Sequence, residues 1–149
     1  MWFPHAFELE MRVTLAESLK VQLTVINPGE TAFTYTGALH TYFAVSHIDR
    51  AQVKGLEGRT YIDSLDDGRQ KTQDGPIRFT EEVDRIYIDT EDTCLVTDEA
   101  WEREIRISKN GSRSTVVWNP WIAKARRMRD FGDDEYLEML CVETANAAN

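Results

Sequence analysis

The chain is poor in the residues that staple or interrupt structure. Its 149 residues include two cysteines, Cys94 and Cys141, and four prolines. Two thiols so placed offer no disulfide framework and no CxxC metal pattern, and the simplest expectation is a reduced, cytoplasmic setting. No run of 18 apolar residues occurs, and the opening residues do not have the make-up of a signal peptide, so neither a spanning helix nor a leader is read. Basic residues are outnumbered, 17 Lys and Arg against 26 Asp and Glu, which gives a formal net charge of -9 and a pI of about 4.8. Nucleic acid and anionic membrane repel such a chain, and neither is expected as a partner. Long amphipathic helical periodicity is missing as well, which excludes a helical bundle.

What the chain does have is alternation. Hydrophobic residues make up 42% and charged residues 29%, the balance of a globular chain, and residues 1–149 read as one domain. In "AFELEMRVTL" the residues Phe7, Leu9, Met11, Val13 and Leu15 alternate with Glu8, Glu10, Arg12 and Thr14, and "LKVQLTV" repeats the pattern up to Asn27-Pro28-Gly29. Period two with one apolar face predicts half-buried strands, here opening as an antiparallel meander. "ALHTYFAV", "RTYIDS" before an Asp67-Gly68 turn, "VDRIYID", "CLVTD" and "LEMLCVET" read as further strands. "REIRISK" and "STVVWN" flank Asn110-Gly111, which predicts a hairpin with a type I′ turn. Asn110-Gly111-Ser112 also matches a glycosylation triplet, but the turn is the preferred reading. "PWIAKARRMRDFGDDEYL" predicts an ordered loop that Pro120 opens with a helical turn or two. Many short strands separated by turns make an all-β sandwich or barrel.

Several residues stand out along the chain. Alternation puts Ala38, His40, Tyr42 and Ala44 on one face, where a pocket wall and a half-buried histidine bonded to a backbone carbonyl are both open readings. His40 and His47 are too isolated for a zinc site, and no metal is expected. Glu143, beside Cys141, sits either at a sheet rim or buried with a partner, since a lone buried charge is costly. Asp84 in "EEVDRIY" poses the same alternatives. Trp118 and Trp121 flank Asn119-Pro120, as a sugar-binding wall or a core corner would require. Lys124, Arg126, Arg127 and Arg129 form the one dense basic cluster, either a phosphate contact or a solvated loop.

Taken in order, "GALHTYFAV", "EVDRIY", "VVWNPW" and "FGDDEYLEMLCVETAN" resemble the hexose-6-phosphate mutarotases, the glucose-6-phosphate 1-epimerase branch of the aldose 1-epimerase superfamily. The resemblance spans nearly the whole chain. It implies a galactose-mutarotase-like antiparallel β-sandwich, here incomplete, because members of the family extend far upstream and continue past "ETAN". The chain is therefore expected to be a C-terminal part, with the arginines that hold the sugar phosphate lying upstream of it. The implied enzyme is an isomerase that interconverts the α and β anomers of a hexose 6-phosphate without cofactor or metal. His40 would be the general acid and Glu143 the general base, Asp84 would hold sugar hydroxyls, and Trp118 and Asn119 would line the pocket. Ring opening needs one group to take the proton from the C1 hydroxyl and another to protonate the ring oxygen, which fits that pair. A non-catalytic carbohydrate-binding fragment is the alternative. Glycoside hydrolysis by Asp84 and Glu143 ranks below both, because it leaves His40 without a role. Open sheet edges lead us to expect a homo-oligomer.

Overall fold

The computed structural model describes residues 3–148, and they fall into two compact units, one up to Tyr35 and one from Thr36 onward. No helix among the described residues is long and apolar enough to cross a membrane.

In the first unit β1 (Glu8–Leu15) and β2 (Leu19–Ile26) form an antiparallel hairpin with Leu9 opposite Val25, Met11 opposite Leu23, Val13 opposite Val21 and Leu15 opposite Leu19. The alternation is as expected, and all eight of these residues share one face. The break after β2 is also as expected, because Asn27 caps its own turn by accepting a bond from the Gly29 amide at 2.9 Å and donating to the Thr31 carbonyl. The expected burial of the apolar face is absent. Met11 is 61% and Leu15 82% exposed, because this two-stranded ribbon carries no second layer of its own. The meander also ends here, since later strands pair elsewhere.

The second unit contains β3 (Gly37–Leu39), β4 (Tyr42–Ala44), β5 (Ala51–Lys54), β6 (Thr60–Asp63), β7 (Arg69–Thr72), β8 (Ile77–Arg78), β9 (Val83–Tyr87), β10 (Cys94–Asp98), β11 (Arg103–Ile107), β12 (Ser114–Asn119), the short helix α1 (Trp121–Ala125) and β13 (Met139–Asn146). A smaller sheet runs β11-β10-β5-β8. A larger one runs β3-β13-β12-β9-β6-β7, with β4 also paired to β13. Every strand pair is antiparallel, so the all-β sandwich reading holds.

Alternation decides what lies between the sheets. Val53, Ile77 and Val96 of the smaller sheet meet Val83, Tyr87, Val117, Leu140 and Val142 of the larger one. Burying each such side chain contributes roughly 1.5–3 kcal/mol. Asp98 is a polar anchor of this core. It is 2% exposed and accepts bonds from the Ser46 amide and hydroxyl at 2.6 and 2.5 Å. Burial alone would raise its pKa, yet these bonds hold the carboxyl below its ordinary value.

The Asp67-Gly68 turn joins β6 to β7 as expected, with both residues at positive φ and the Gly68 amide bonded to the Asp63 carbonyl at 3.0 Å. The expected hairpin around Asn110-Gly111 does not form. β11 pairs only with β10 in the smaller sheet, whereas β12 joins β9 and β13 in the larger one. The cause is burial. β12 is covered on both faces, while β11 alternates charged residues outward as an edge strand does. The chain here crosses from one sheet to the other. Lys109 fastens the crossing by donating to the Ser114 carbonyl at 2.6 Å and the Thr115 hydroxyl at 2.7 Å.

The uncovered hairpin face should drive self-association, with dimers or larger species in sedimentation at micromolar concentration. Met11→Lys with Leu23→Lys places two like charges opposite each other on that face and should shift the population to monomer. A parent chain that sediments as a clean monomer at high micromolar concentration contradicts this.

Candidate active site

The outer face of the larger sheet takes the residues that alternation turns away from the core. Strand pairing sorts them into two rows across the strands. In the first, Asp84 of β9 lies opposite Trp118 of β12, Trp118 opposite Cys141 of β13, and Cys141 opposite Tyr42 of β4. In the second, Ile62, Ile86 and Val116 lead to Glu143.

His40 completes the second row. β3 pairs with β13 as Leu39 opposite Thr144, and β4 as Tyr42 opposite Cys141, so the register is the same on either side of the gap. His40 therefore falls opposite Glu143. The ladder opens there because the Thr41 amide turns back to the Leu39 carbonyl at 2.9 Å, a three-residue γ-turn with His40 at its apex. No residue is inserted. The turn bows His40 out of the sheet towards its partner, and its Nε2 lies 3.3 Å from Oε1 of Glu143.

The neighbours fix the ring. Tyr42, two residues on, stacks on His40 with centroids 4.9 Å apart and an interplanar angle of 11°, and Trp118 meets it edge-on at 5.5 Å. The two ends of the pair differ in environment. The His40 side chain is 48% exposed and that of Glu143 7%. Burial pushes the Glu143 carboxyl from 4.5 up to about 7, with a further contribution from the charge of Asp84. Burial also raises the Cys141 thiol, and the Glu143 charge raises it further. A carboxyl that titrates near neutrality against an accessible imidazole can pass protons to and from a ligand on this open face.

Asp84 is close to this pair but tied elsewhere. The Lys124 ammonium lies 3.5 Å from it and 3.3 Å from Glu82, and sits 5.5 Å from the centroid of the Trp118 ring. An open cavity of about 420 Å³ lies beside Asp84, lined also by Glu82, Lys71 and Trp121, and neither His40 nor Glu143 lines it. Trp118 is 7% exposed and packs with Met139, Cys141, Met128 and Phe131, so the ordered loop after β12 covers its flank. Asn119 is fully buried. Its amide donates to the Tyr136 and Met139 carbonyls, both at 2.9 Å, and accepts from the Trp121 amide, which anchors that loop to β12 and β13. The structure thus brings His40, Glu143, Trp118 and Asp84 onto one face and sets Asn119 behind it. Arg126, Arg127 and Arg129 are exposed, and the Lys124 charge is spent on the two carboxylates. Sequence reasoning assigned no role to Tyr42 or Cys141. Their spacing of two residues from His40 and Glu143 was the available sign.

The profile of the aldose 1-epimerase family matches residues 2–149. A protein of Cenchrus ciliaris provisionally named glucose-6-phosphate 1-epimerase is 41% identical over 96% of this chain and 45% of its own length. One of the same provisional name from Escherichia coli K12 is 35% identical over 99% of this chain and 49% of its own. The crystal structure of a provisionally named mutarotase, YeaD, from Salmonella typhimurium superposes with a TM-score of 0.89 at 32% identity, covering 99% of this chain and 48% of that one. The chain spans about half the length of the curated relatives it matches.

The raised carboxyl has a consequence for stability. Between pH 4.5 and about 7 the folded chain holds a proton on Glu143 that the unfolded chain has released. The stability contributed at this position therefore falls as pH rises through that window. Glu143→Gln should be more stable than the parent by roughly 1–3 kcal/mol above pH 7, with the difference fading towards pH 4. Urea denaturation across that range measures it, and a difference that does not change with pH contradicts the assignment.

Proposed function

The chain belongs to the aldose 1-epimerase family, and from that membership we propose that the outer face of its larger sheet carries the acid–base pair of a hexose-6-phosphate mutarotase. The observation that carries the proposal is the 3.3 Å contact between His40 and Glu143 on an open sheet face. Both oxygens of a cyclic hemiacetal are bonded to the same carbon, so an acid and a base that touch one another can reach both. The Glu143 carboxylate takes the proton from the C1 hydroxyl as His40 gives one to the ring oxygen. The bond from C1 to the ring oxygen breaks and C1 becomes an aldehyde. Rotation about C1–C2 presents its other face, and the reverse transfers close the ring as the opposite anomer. No redox step or transferred group is involved.

Asp84 is the proposed partner of the sugar hydroxyls, and Trp118 the wall behind them. Asn119 serves the pocket by holding the loop over β12 and β13. Arg126, Arg127 and Arg129 are proposed for a secondary phosphate contact. A specific observation favours a second reading, a sugar-binding fragment without turnover. His40 is half exposed and the face is open, so water is not excluded from the pair.

Anomer exchange on glucose 6-phosphate, followed by NMR saturation transfer, separates the two readings. Mutarotation is spontaneous, so the protein-dependent rate must scale with chain concentration. His40→Ala and Glu143→Gln should each lower it at least about a hundredfold, the scale of a general acid or base. An unchanged rate in either variant removes that residue from the mechanism. Binding of the sugar phosphate with no added rate establishes the fragment reading.

A further inference from the structure

Cys141 is a potential metal ligand on this face that proton transfer leaves unused. It is fully buried and lies on β13 two residues before Glu143, so both side chains leave the sheet on the same side. A ring nitrogen of His40, Sγ of Cys141 and a carboxylate oxygen of Glu143 all lie within 4.8 Å of one another. One imidazole, one thiol and one carboxylate make the ligand count of a three-residue zinc site. Zinc bonds of about 2.0 Å to N and O and about 2.3 Å to S require donor separations of roughly 3.3–3.7 Å. The His40–Glu143 contact is already at 3.3 Å.

We infer that His40, Cys141 and Glu143 form a binding site for a thiophilic divalent cation of the Zn²⁺ class, whose occupancy withdraws the imidazole and carboxylate from proton transfer. A cation seated here is an occupant, not a requirement of the chemistry. A single carboxylate among the three donors argues against Mg²⁺ or Ca²⁺, which prefer an all-oxygen shell. The γ-turn leaves His40 outside the ladder, already facing Glu143, and its half-exposed ring marks the entry path. Thiolate and carboxylate together match the double charge. The nearest flanking charges do not oppose it, because Lys124 is engaged by Glu82 and Asp84. On binding, the ion takes the thiol sulfur as thiolate and the thiol proton passes to solvent, with nothing oxidised or reduced. Cys94 has no such company, since it lies in the core between the sheets.

The inhibitory consequence rests on the acid–base reading above, whereas the binding does not. Co²⁺ is the probe, added to the full chain under reducing conditions. One equivalent should produce a sulfur-to-cobalt charge-transfer band in the near ultraviolet that Zn²⁺ abolishes. Cys94→Ser should keep the band and Cys141→Ser should lose it. His40→Ala removes a half-exposed side chain and leaves the core intact. It should weaken Co²⁺ at least about a hundredfold, the upper end of what losing a mere orienting partner costs. A missing band, a band unchanged in Cys141→Ser, or equal affinity in His40→Ala overturns the site. A cobalt site in a chain that adds no rate to anomer exchange supports the cation site and overturns the acid–base reading.

Discussion

The strand register along β13 is the constraint on which the rest of the site depends. Met139 to Cys141 pair with β4, and Thr144 to Asn146 pair with β3, in one unbroken frame. Because side chains alternate, a slip of one residue would send Glu143 into the core and Val142 outward. The apolar residues Leu140 and Val142, packed between the two sheets, oppose that slip. Hydrophobic burial on the inner face thus fixes the position of a carboxylate on the outer face. The γ-turn at His40 then spends two ladder positions to bring an imidazole to it, and Tyr42 holds the ring in place.

The same register sets the chemistry of the carboxylate. Glu143 follows Val116, Ile86 and Ile62 across the sheet, a row with no ionisable side chain until His40. Desolvation by burial, more than the neighbouring Asp84, moves the carboxyl into the range where it exchanges protons near neutrality. Asp84 lies in the adjacent row and keeps the Lys124 ammonium beside it, so two carboxylates on one sheet face take different parts.

Much of this was legible in the sequence, for definable reasons. Strands with one apolar face carry period two, and "LEMLCVET" with its neighbours displayed it. The Asp67-Gly68 turn was legible because only such residues adopt positive φ cheaply. The Asn110-Gly111 hairpin misled because turn chemistry reports a local bend and says nothing of which sheet each strand joins. Burial of β12 on both faces decided that. The face shared by His40, Tyr42 and Ala44 followed from alternation. The opposition of His40 to Glu143 came from a long-range register that no local pattern encodes. The bonds of the Asn119 amide to the loop backbone are likewise long-range contacts that no local motif encodes. The exposed hairpin face was illegible for a similar reason, because alternation announces an apolar face and not what covers it.

The claim on which everything turns is that Glu143 is a carboxyl poised near neutral pH by its burial. The direct measurement is ¹³C NMR of the chain labelled at glutamate side-chain carboxyls, with Glu143→Gln identifying the resonance. The account predicts a titration midpoint near 7 for Glu143. A midpoint in the ordinary range, about 4.3, would contradict it, because a carboxyl already ionised and solvated there is not the group this sheet face has been built around.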